Sequence, residues 1–120
     1  MKAEQVEIFR KMTAQLEALH AEMSGLVKKG ADKPINLFKL RLANGILAEA
    51  NQVLGSNKPA LGFDAFDEAA IPTASDVSFV VRLYVECAEK VRQENITKHY
   101  DGSWHWNQGN IVTTPPKVSK

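Results

Sequence analysis

The side chains best equipped for chemistry stand together in the last third of the chain. Between Arg92 and Trp106 lie two of the three histidines (His99 and His105), both tryptophans (Trp104 and Trp106), Tyr100 and Asp101. Flat aromatic surfaces beside cations can stack a planar ring and pair with an anion. Arg92, His99, Tyr100, Trp104 and Trp106 therefore form the candidate ligand-binding set, suited to a nucleotide-like small molecule or a protein partner. Reaction chemistry has less to work with. His99 and His105 are six residues apart with Asp101 between them, but neither a CxxC nor an HExxH motif is present, so no metal site is expected. There is no glycine-rich phosphate loop and no serine in a nucleophile elbow, and no cofactor is expected. Nothing pairs a nucleophile with a base, so the chain reads as non-enzymatic.

One pattern points the other way. Arg92 and His99 are separated by six residues in RQENITKHY, a spacing that resembles the R-x4-6-H signature of the HEPN family of small all-α domains, many of them ribonucleases. The resemblance covers nine residues. It implies an alternative function as a ribonuclease, with His99 as acid/base and Arg92 stabilising phosphate. The pattern departs from that family in running directly from a third helix into a β-prone segment, where the family has four or five helices. Without such a function, Arg92 is a solvated helix residue and His99 a C-terminal cap favoured by the helix dipole.

Composition limits the partners. A chain of 120 residues is one domain, here 1–120, large enough to bury its own core. The net charge of +1 makes duplex DNA an improbable partner, because a DNA-binding domain normally presents a strongly basic face. A lone cysteine, Cys87, cannot form an intrachain disulfide and fits a reducing compartment. The N-terminus lacks the apolar run of a signal peptide, and no apolar stretch is long enough to span a membrane. The expectation is a cytoplasmic protein without membrane association, of the size common among bacterial and phage accessory proteins.

The elements that must position the candidate site are mostly helical. Phe9, Met12, Leu16, Leu19, Met23 and Leu26 recur at intervals of 3, 4, 3, 4 and 3, a heptad seam that predicts a helix over about 3–29 packed at a shallow angle on a helix of its own chain or of a second copy. With a second copy the seam becomes an oligomer interface, so a homo-oligomer is expected; a purely structural assembly module is a further alternative. A second helix over about 33–54 is predicted with Asp32 as its cap and Pro34 in its first turn. It is apolar on more than one face and reads as central and buried, with Gly45 at a close approach of a neighbouring helix. The connection 55–72 is long, and Phe63 and Phe66 are expected to fold it over the core. A third helix over about 74–97 opens on Thr73 and carries a stripe of Val77, Val80, Val81, Tyr84, Ala88 and Val91; Cys87 beside it reads as a core residue.

GSWHW then alternates, with Trp104 and Trp106 on one face, and NQGN offers a turn at Gly109 before the β-prone IVTT. A hairpin over about 102–114 and a frayed tail 115–120 follow. A lone hairpin is marginal, so it must pack on the helices or pair with another chain's hairpin. The fold class is mainly α, three long helices in a bundle with a C-terminal β-hairpin. The function read from it is a small binding or regulatory protein acting where the third helix meets the hairpin.

Overall fold

A computed structural model describes residues 1–59, 62–107 and 111–117. Three helices run Ala3–Gly30 (α1), Leu37–Leu54 (α2) and Ala74–Glu94 (α3). Three short strands follow: Ile96–Lys98 (β1), Trp104–Trp106 (β2) and Val112–Thr113 (β3). The strands form one antiparallel sheet in the order β1-β2-β3.

Each helix buries one heptad stripe. Phe9, Met12, Leu16, Leu19 and Met23 are buried on α1, Leu40, Ala43, Leu47, Ala50 and Leu54 on α2, and Ala74, Val77, Val81, Tyr84, Ala88 and Val91 on α3. Three seams with the same 3-4 alternation meet in a single core, as left-handed bundle packing requires. The seam of α1 is thus filled by α2 and α3 of the same chain. Leu26, at its end, is half-buried against the core. The expectation that Phe9, Met12, Leu16, Leu19, Met23 and Leu26 form an oligomer interface is corrected accordingly: two neighbouring helices of the same protomer cover the stripe.

α2 also differs from expectation. It is not wrapped on all sides; Leu37, Phe38 and Leu42 are exposed. The central element is α1, which packs on both other helices. Asp32 does not cap α2. The cap is Asn36, whose side chain accepts a hydrogen bond from the Lys39 N–H at 2.8 Å. Pro34 lies outside the helix, in an isolated bridge with Thr73 that draws the starts of α2 and α3 together. Among the described residues nothing lies within 4 Å of the position a side chain at Gly45 would occupy. Its neighbour Asn44 instead makes two bonds to the backbone of Phe66, at 2.9 and 3.0 Å. Those bonds and an edge-to-face contact between Phe63 and Phe66 hold the described part of the 55–72 connection against the bundle.

α3 stops at Glu94, three residues short of its expected end. Thr73 caps its start, accepting from the Asp76 N–H at 3.2 Å. At the far end Asn95 donates its N–H to the Arg92 carbonyl, and its side chain donates to the Val91 carbonyl at 2.8 Å. The chain then turns into β1, so the hairpin read from sequence is the outer pair of a three-stranded sheet. The Gly109 turn lies outside the described residues, as do tail residues 118–120. Among the described residues no helix is long and apolar enough to cross a membrane.

Candidate functional site

A groove of about 540 Å³ opens between α1, α3 and the segment 112–117. On α1 it is lined by Phe9, Arg10, Thr13, Ala14 and Glu17; on α3 by Val85, Ala88, Glu89 and Arg92; the sheet adds Trp106 and Val112, and the strap beyond it Thr114 and Lys117. Helical periodicity explains the first two walls, because positions 10, 13, 14 and 17, like 85, 88, 89 and 92, follow one edge of a helix.

β-strand alternation supplies the floor. The register pairs Ile96 with Trp106 and Lys98 with Trp104. Both indoles are therefore on one face, as the alternation in GSWHW predicts. Trp106 is 2% exposed and meets Phe9 edge-to-face, with ring centroids 5.6 Å apart. Trp104 is half-buried against the core.

Arg92 frames the groove. It is 8% exposed. Its Nε donates to both carboxylate oxygens of Glu89, its Nη1 to the Thr114 carbonyl at 2.8 Å, and its Nη2 to the Pro115 carbonyl at 2.9 Å and to Glu89 Oε1. From α1, Arg10 Nη2 donates to the Val112 carbonyl at 2.6 Å. Lys117 pairs with Glu17 through its ammonium and donates its backbone N–H to Glu89 at 3.3 Å. Burial of Glu89 opposes ionisation, but the bonds from Arg92 and the Lys117 N–H and the two positive charges prevail, holding its carboxyl below the usual range. Strap and helices are thus joined mainly by charge-assisted bonds.

The candidate ligand set is divided by the fold. Arg92 and Trp106 line the groove; His99, Tyr100 and Trp104 do not. His99 lies beyond β1 and stacks on His105, centroids 3.8 Å apart and planes 15° from parallel. Tyr100, at the turn that follows, is fully exposed. The side chain of Arg92 is committed to Glu89 and the strap, so Arg92 and His99 serve different surroundings. Sequence reasoning missed Arg10, Thr13, Ala14 and Glu17. Their spacing marks one edge of α1, but nothing local reveals that Arg10 meets Val112, which is 102 residues away.

Around the stacked imidazoles, the Ser103 hydroxyl donates a hydrogen bond to Asp101 Oδ1 at 2.5 Å, and its oxygen lies 2.9 Å from His105 Nε2. The bond from the Ser103 hydroxyl keeps Asp101 below the ordinary carboxylate range, with help from the Ser103 N–H. A serine nucleophile must donate its hydroxyl hydrogen bond to the histidine, and here the hydroxyl donates to the carboxylate instead. Among the described residues no three His, Cys, Asp or Glu side chains converge as a metal site. Cys87 is half-buried, and desolvation raises its thiol above the usual value, the opposite of an activated thiolate.

No family model, curated protein or solved structure matches the chain.

Proposed function

We propose that this is a small non-catalytic binding protein whose ligand site is the groove between α1, α3 and the strap 112–117. The observation that carries this reading is the groove's construction. Its volume falls in the range of small-molecule pockets, its floor is aromatic, and its polar frame comes from three separate elements. The site adjoins the junction of the third helix with the sheet, and Arg92 and Trp106 contribute to it. Arg92 acts there as a positioning residue, holding the strap rather than meeting the ligand.

Ala14 provides the test, because it is exposed and lines the groove. Ala14→Phe fills the site from a helix surface without disturbing the core. A panel of nucleotides and of aromatic and aliphatic fragments is screened by thermal shift and tryptophan fluorescence. A compound at 100 times its Kd stabilises by about 2.7 kcal/mol, a shift of several degrees. Hits are expected on the native protein and not on Ala14→Phe. Hits of equal size on both proteins place the ligand elsewhere, and RNA cleavage abolished by His99→Ala replaces the reading with an enzymatic one.

A further inference from the structure

Among the described residues, the side-chain atoms Thr13 Oγ1 and Trp106 Nε1 are buried without a hydrogen-bond partner, and both residues line the groove. An unmet buried donor is costly, so native proteins rarely leave one idle. The indole N–H can only donate, and the threonine hydroxyl can donate as well. What is missing is therefore an acceptor. A third donor is at hand: among the described residues Arg10 makes one hydrogen bond, from Nη2 to the Val112 carbonyl.

Charge narrows the class. The groove is lined by three cations, Arg10, Arg92 and Lys117, and two carboxylates, Glu17 and Glu89. Glu89 is paired with Arg92 and Glu17 with Lys117, so the positive charge left over is that of Arg10. One unit of charge suits a monoanion. A doubly charged phosphate would carry excess charge into a site walled by Phe9, Val85, Ala88 and Trp106, where a buried charge must be matched.

Resting on the groove being the ligand site, we infer that its ligand is an apolar molecule bearing a single carboxylate, received by Trp106 Nε1–H, the Thr13 hydroxyl and Arg10. The apolar body lies against the aromatic floor.

The test uses 2-naphthoate, its methyl ester and 2-naphthyl phosphate on the full-length, ¹⁵N-labelled protein. The readout is the Trp106 indole N–H resonance, identified in Trp104→Phe, which retains one indole. 2-Naphthoate is expected to move that resonance and to bind about tenfold tighter than the ester, the gain of a charge-assisted bond over a neutral one. Arg10→Gln is expected to remove that advantage, so that acid and ester bind this variant equally. Glu17→Gln, which raises the local charge, is expected to tighten naphthoate binding severalfold, so a gain as well as a loss is measured. Equal binding of acid and ester, or tightest binding of the phosphate, overturns the carboxylate inference. If either result comes with a shifted Trp106 signal, the groove remains the ligand site. No shift with any of the three compounds also overturns the inference, and the Ala14→Phe comparison then decides the groove reading independently.

Discussion

Trp106 carries two roles in one side chain. Its ring closes the end of the core against Phe9, while its indole N–H has no acceptor among the described residues. Substitutions separate the two. Trp106→Ala removes the ring and is expected to cost about 3–5 kcal/mol, as for other large buried aromatics. Trp106→Phe keeps much of the ring and relieves the unmet donor, so its cost is expected to be well below that. Tyr100→Ala, at a fully exposed position, is expected to stay within about 0.5 kcal/mol of the native protein. Urea denaturation of the three variants checks the order.

Glu89 gives the residue scale a pH dependence. Its carboxyl titrates lower in the folded chain than its reference value of 4.5. The unfolded chain therefore binds the proton more readily, and the contribution of Glu89 to stability is fully present above pH 4.5. It is lost as pH falls through the lower folded value. Glu89→Gln is expected to flatten the acid side of the stability profile between neutral pH and that window. Thermal melts from pH 7 to pH 3 measure it, and an unchanged acid limb contradicts the assignment.

At the scale of elements, the sequence was most legible where periodicity was strict. The 3-4 stripes of α1 and α3 predicted both helices and their buried faces. Ends were harder. Asp32 and Pro34 form a plausible helix start, yet the chain makes a bridge from Pro34 to Thr73 first and caps α2 at Asn36. A tertiary contact outcompeted a local signal. Asn36→Ala is accordingly expected to cost about 1 kcal/mol, and Asp32→Ala close to nothing. Chemical denaturation distinguishes them.

β1 was hidden for a related reason. Residues 96–98 continue a helical pattern, and only their pairing with 104–106 makes them strand. The groove was the least legible feature. Trp106 and Arg92 stood out by type, whereas Arg10, Thr13 and Glu17 look like ordinary outer positions of an amphipathic helix. They become a site only when the strap arrives from the other end of the chain.

For the whole molecule, the seam of α1 decides how folding and association are related. Leu16 is fully buried between helices of its own chain. Leu16→Glu is therefore expected to abolish cooperative unfolding at every protein concentration, because it places a charge inside the core. If the seam joined two copies instead, the same substitution would yield a folded protein of lower mass. Circular dichroism with light scattering on one sample separates the outcomes.

The two arginines that hold the strap have a further consequence. The backbone N–H of Trp106 bonds to the Ile111 carbonyl, so the carbonyls of Val112 and Thr114 face away from the sheet. On an ordinary outermost strand such groups invite a foreign strand to dock, the usual start of fibril growth. Here both acceptors are already taken, Val112 by Arg10 and Thr114 by Arg92. On that side of the small sheet, guanidinium groups from the helices occupy the carbonyls a docking strand would need, which disfavours templated aggregation.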